Sequence, residues 1–334
     1  MVRRSHLIGP QATAGRLLAV AVLTVGLAGP VTPALAGDND LVMSRLGRSV
    51  ATTGGETRAI GDNEMFRSLA SELGVALAPR LMSPSDTLGF SGFQFAGDLS
   101  FTTISGDADY WCARESSVND RGECESSGNT LTSIGLFVRK GIWLPLPSFE
   151  VGGGLVNLTG SDLFAAQVYA KFALHEGYHD LPLPSVAVRG AASRMMGTSQ
   201  LDMTVASLDV SVSKLFGIAG SFAIEPYGGW TLLFIVPRSE VLDLTPEVAG
   251  DRENNFNFRD QDTILRNRFF AGFKLQYYVF ALIFEANIAL SGGSEDDQQD
   301  TDTPCSEVMT TTLCDSVDRA GAQQSYTLSL GLDF

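Results

Sequence analysis

The sequence predicts an all-β fold: a transmembrane, antiparallel, up-and-down β-barrel of about ten strands. Three observations predict it. The chain opens with an export signal, apolar and polar residues then alternate over unusually long segments, and the connections between those segments sort by length.

The opening stretch, residues 1–36, carries Arg3, Arg4 and Arg16, an apolar run from Leu17 to about Ala28, and a small-x-small close at Ala34-Leu35-Ala36. This is the layout of a cleaved secretory signal peptide. The apolar run is shorter than the ~20 residues a spanning helix needs. Cleavage after Ala36 places the mature chain, from Gly37, outside the cytoplasm. It also takes three arginines from a net charge of −15, leaving −18. Such an acidic chain is unsuited to nucleic acid, whose binders neutralise phosphates with basic side chains. The four cysteines, Cys112, Cys124, Cys305 and Cys314, all lie in the exported part, where disulfides form. Three pairings are possible; the expected one is local, Cys112–Cys124 and Cys305–Cys314.

Residues 37–88 read as a periplasmic amino-terminal segment with one short amphipathic helix. Phe66, Leu69, Leu73 and Leu77 share a helical face, Asp62 is placed to cap it and Pro79 to stop it. Three placements are open: against the periplasmic rim, in the lumen as a plug, or as a tether.

From Gly89 to Phe334 the period is two, the signature of strands. Phe93, Phe95, Leu99 and Phe101 alternate with Gln94, Asp98 and Ser100. Ile134, Leu136 and Val138 oppose Ser133 and Arg139. Phe164, Val168 and Phe172 oppose Gln167 and Lys171; Trp230, Leu232 and Phe234 follow Glu225; Leu282, Phe284 and Ile288 oppose Glu285 and Asn287. Weaker alternation marks 148–158, 185–195, 201–214 and 264–276. Most segments exceed the roughly five or six residues of a soluble strand and suit tilted membrane strands of about 9–11. Tyr110, Trp111, Trp143, Trp230, Tyr277 and Tyr278, near strand ends, suit the aromatic girdles of a membrane barrel.

The long connections, 105–129, 237–263 and 292–324, all follow odd-numbered segments, so they share one end. Those three loops hold 21 acidic and 6 basic residues. Long outer loops and short inner turns characterise outer-membrane barrels.

The closing stretch, "SYTLSLGLDF", resembles the carboxy-terminal strand of Gram-negative outer-membrane β-barrel proteins. Tyr326, Leu328, Leu330, Leu332 and Phe334 match its alternating apolar positions and terminal aromatic. Position 329 is serine where the stricter motif has glycine. The resemblance implies an integral outer-membrane location and recognition by the barrel-assembly machinery, with outer-membrane lipid and lipopolysaccharide as further partners.

The inward set carries Asp98, Arg139, Glu150, Lys171, Arg189, Asp209, Glu225, Lys274 and Glu285. Buried charges are costly alone, so these are expected to pair in a lumen that a ten-stranded barrel largely fills. A structural network is the favoured reading, a narrow selective channel the alternative. His175 and His179, with Glu176 and Asp180, suggest zinc only on a helix; here they fall in a strand end and turn. The acidic loops offer oxygen ligands without the ordered spacing of a calcium loop. No cofactor and no catalytic set is expected. The expected role is structural or surface-interacting; a narrow porin-like channel comes second and an outer-membrane enzyme third.

Overall fold

Period-two alternation becomes ten long strands. The computed structural model describes residues 37–51, 56–119, 121–126, 128–143, 148–177, 183–218, 221–245, 254–258, 260–296 and 316–334. The barrel strands are β1 (Phe93–Thr103), β2 (Thr130–Ile142), β3 (Phe149–Leu158), β4 (Phe164–His175), β5 (Ser185–Met196), β6 (Leu201–Ser213), β7 (Phe222–Ser239), β8 (Ile264–Tyr277), β9 (Phe280–Ala289) and β10 (Gln323–Asp333). Each pairs antiparallel with its sequence neighbours, and β10 pairs with β1 to close the ring. Closure leaves no ladder edge, which a sheet in lipid requires. At the seam Leu99 lies opposite Leu328 and Phe95 opposite Leu332. The Phe93 and Phe334 backbones exchange bonds of 2.9 and 2.8 Å there.

The pleat sends one residue set to each face. Leu136, Val168, Phe284, Ile288, Leu328 and Leu330 are exposed on the outside, an apolar surface that suits lipid. Gln94, Ser100, Ser133, Gln167, Ser193, Thr231 and Thr327 are buried inside. Ser100 and Thr327 hydroxyls bond across the seam at 2.8 Å.

The loops after β1, β7 and β9 gather at one mouth, as their sorting predicts, beside the short turns after β3 and β5; the connections after the even-numbered strands lie at the other. The loop after β1 carries the Cys112–Cys124 disulfide. Cys305, Cys314 and His179 lie outside the described residues, as does the signal segment, residues 1–36. Trp143, Tyr277 and Tyr278 are exposed near the short turns. Tyr110 and Trp111 depart from the girdle expected of them: they are 7 % and 1 % exposed and face inward from the long-loop mouth.

The helix α1 (Asn63–Ala76) forms where its signals place it. The Asp62 side chain accepts from the Met65 N–H at 3.1 Å, and Glu64 sits in the first turn. Its setting differs from an amphipathic helix beside the barrel. Both faces are buried, with Arg67, Ser71 and Glu72 as inaccessible as Phe66, Leu69 and Leu73. The helix stoppers the long-loop mouth from within.

Candidate functional site: the threaded lumen

The segment preceding β1 enters the barrel at the long-loop mouth and leaves at the other. Residues 37–46 lie along the first mouth. The Asn39 N–H donates to the Gly160 carbonyl at 2.8 Å, Met43 N–H to Gln200 Oε1 at 2.7 Å, and Val42 N–H to the Ala113 carbonyl at 2.6 Å. A hairpin of Gly47–Ala51 and Thr57–Gly61 follows and leads into α1. Residues 37–51 and 56–88 thus run along the long-loop mouth and through the lumen rather than beside the barrel. Of the three placements left open, the plug is the one observed.

The polar face of α1 is tied to the loops. The Glu72 carboxylate accepts from Ser105 N–H (2.9 Å) and Oγ–H (2.6 Å), Tyr110 O–H (2.9 Å), Trp111 Nε1–H (2.7 Å) and Gly321 N–H (3.0 Å). Burial, opposed by the Ser105 bond and reinforced by Glu72, pushes the Tyr110 phenol well above its ordinary pKa, so it stays a donor. Ser71 Oγ donates to Asp318 at 2.7 Å and accepts from Arg266 at 2.6 Å. Burial raises the Asp318 carboxyl, against the pull of Ser71, the Ala320 N–H, Arg266 and Arg67. Arg67 reaches the Asp262 carbonyl and Ser294.

The apolar face of α1 meets an apolar wall. Leu131, Ala165, Met195, Val205, Leu233, Ile235 and Ile264 are all buried around Phe66, Leu69 and Leu73. A Cβ on Gly74 would come within 2.7 Å of Ile235, so glycine is what lets the helix approach β7. Phe66 stacks on Phe258 with ring centroids 4.4 Å apart.

Below α1 the chain runs on as a strap, residues 77–88, with no regular structure. Pro79 and Pro84 lack N–H groups and push the preceding residue towards extended conformations. Wall side chains bond much of the strap's backbone. Gln167 takes the Arg80 N–H (2.9 Å) and donates to the Ala78 carbonyl (3.2 Å). Ser193 donates to Leu77 O (2.8 Å), Arg268 to Pro79 O (3.2 Å), and Arg189 to Arg80 O (2.6 Å) and Leu81 O (3.2 Å). Lys171 donates to Pro84 O (3.0 Å) and Asp86 O (2.9 Å). Glu285 accepts from Met82 N–H (2.9 Å), Ser213 from Ser85 (3.1 Å), Glu176 from Thr87 (2.8 Å) and Glu150 from Leu88 (3.0 Å). Leu81 and Met82 pack on Tyr227, Phe270 and Ile283.

All nine charged residues assigned to the lumen are buried. Their bonding differs from the mutual pairing expected. Glu150–Lys171 (3.2 Å) and Arg189–Asp209 (2.8 Å) pair, but Lys274 pairs with Asp333 (2.7 Å). Glu285 bonds Tyr227 and the strap, and Glu225 accepts from Ser213 (2.7 Å). Among the described residues Asp98 and Arg139 make no ion pair. Arg139, Glu225, Lys274 and Asp333 line a cavity of about 300 Å³ beside strap residues Ser83–Leu88. Sequence reasoning missed Gln167, Arg268 and Glu176 as strap ligands, and Glu72 as an anchor.

No family model matches the chain, and no curated protein does. Solved structures do. OprG of Pseudomonas aeruginosa aligns at 13% identity and TM-score 0.30, over 75% of this chain and 99% of its own. Ail, the attachment invasion locus protein of Yersinia pestis, aligns at 9% and 0.25, over 73% and 99%. The outer membrane protease OmpT of Escherichia coli aligns at 8% and 0.29, over 74% and 95%. At these identities and TM-scores the likeness to each is slight. With its closed ring of ten antiparallel strands and its apolar outer face, the chain has the fold of the Gram-negative outer-membrane β-barrels.

Proposed function

We propose that this protein is a plugged, non-conducting barrel of the outer membrane with a structural or surface-interacting role. The long-loop mouth then faces outward, and the hairpin of Gly47–Ala51 and Thr57–Gly61 becomes part of the cell-surface face. The supporting observation is the strap, whose backbone occupies donors and acceptors that an open pore would present to solute. The same commitment speaks against catalysis, because those wall groups bind the chain itself. Planar-bilayer recording of the full chain tests the reading: no stable single-channel steps are expected. Reproducible steps from the wild-type protein would replace it with the narrow-channel alternative.

A further inference from the structure

We infer that the lower lumen is a binding channel for extended polypeptide backbone, with the strap as its resident occupant and unrelated sequences as acceptable ones. The inference rests on the plugged-barrel reading and deepens it.

An extended segment away from any sheet has no internal partners for its N–H and C=O groups, and leaving them buried unpaired is costly. Here the partners come from six strands and the turn after β4. Gln167 and Lys171 stand on β4, Arg189 and Ser193 on β5, Ser213 on β6, Arg268 on β8, Glu285 on β9 and Glu150 on β3, while the Thr87 N–H is taken by Glu176 just beyond β4. Most of these bonds reach atoms that every residue carries. Arg189 spans two consecutive carbonyls, and Lys171 reaches carbonyls two residues apart, so the wall is matched to chain spacing.

Side-chain recognition is confined to a few places. Arg80 donates to Ser100 and Ser133, Ser85 to Ser211, and Thr87 to Glu176, while Lys171 donates to Ser83. Leu81 and Met82 pack into an apolar cluster with Tyr227, Phe270 and Ile283. The occupant this channel takes is therefore an extended peptide with prolines where no acceptor is offered and one apolar pair near its centre. Elsewhere the wall discriminates little.

Two full-length variants separate backbone reading from side-chain reading. The first carries Arg80→Gln, Ser83→Thr, Ser85→Asn, Asp86→Gln, Thr87→Ala and Leu88→Tyr, keeping Pro79, Leu81, Met82 and Pro84. The second is Leu88→Pro alone, which deletes the N–H bonded to Glu150; Leu88→Ala, which keeps it, is its control. Amide hydrogen exchange, read by mass spectrometry on the folded barrel, reports the strap directly. Protection across residues 80–88 in the sixfold variant should stay within about tenfold of the wild type, and Leu88→Pro should lose more than Leu88→Ala. A loss of about a hundredfold in the sixfold variant, or its failure to assemble, would mean that side chains hold the strap, and the inference falls. Equal losses in the two Leu88 variants would overturn it too. Conductance keeps the two readings apart: a conducting wild type removes the plug, whereas an insulating wild type beside a conducting sixfold variant removes only this inference.

Discussion

The upper and lower halves of the lumen hold the same chain by opposite means. Around α1 the wall is Leu233, Ile235, Val205 and Met195; around the strap it is Gln167, Lys171, Arg189 and Glu285. The difference follows from the backbone each half receives. A helix satisfies its own N–H and C=O groups except at its ends, so its wall can be apolar. An extended strap satisfies none, so its wall must supply donors and acceptors. Wall chemistry thus tracks the occupant's secondary structure more closely than the occupant's sequence.

Four sets of substitutions break or sharpen this contrast. The largest effect is expected in the polar half. Arg189→Met strands two strap carbonyls and leaves Asp209 as a buried charge without its partner. Breaking a buried pair costs about 3–5 kcal/mol. Urea titration of the barrel in lipid vesicles measures it, and a loss below about 1 kcal/mol would show that the lower wall needs no such donor. In the apolar half, Leu73→Ala should cost about 2–5 kcal/mol through the cavity it leaves. Leu73→Met should cost less than about 1.5 kcal/mol, because that wall asks for volume rather than hydrogen bonds. Parity of the two Leu73 variants in the same titration would blur the contrast.

On the outer face, Leu136→Arg or Phe284→Arg should cost about 2–4 kcal/mol at the membrane midplane. Gln94→Arg should cost less. Gln167→Arg is expected to join the damaging group, because Gln167 bonds the strap from both ends of its amide. Ranking the four by folding yield into vesicles decides it; a mild Gln167→Arg would loosen the strap's claim on β4. The smallest effect is at the cap: Asp62→Ala should cost about 1 kcal/mol and Asp62→Asn little, because asparagine caps nearly as well. The midpoint of heat-induced gel-mobility change reads the difference, and equal shifts would assign Asp62 another role.

Much of this contrast was hidden in the sequence. The barrel was legible because alternation is local: Leu328, Leu330 and Glu285 announce their faces within a few residues. The helix was legible from Asp62 and Pro79. Its seat left a fainter signal, the unbroken "LLFIV" of β7, where both faces are apolar because one meets lipid and the other meets α1. The strap left almost none. Its partners read backbone atoms, and backbone atoms write nothing into "LAPRLMSPSDTL". Nor could residues 37–46 declare which mouth they would reach, since that depends on Gly160, Gln200 and Ala113, far along the chain. The lumen charges were legible as inward residues but not by partner, for the same reason.

The strap joins β1 through the turn Gly89–Gly92, where the Gly92 N–H meets the Gly89 carbonyl at 3.1 Å. β1 is also one lip of the seam that shuts the ring. A sheet that curls around the strap and zips at this seam never has to draw a loose end through a finished hole.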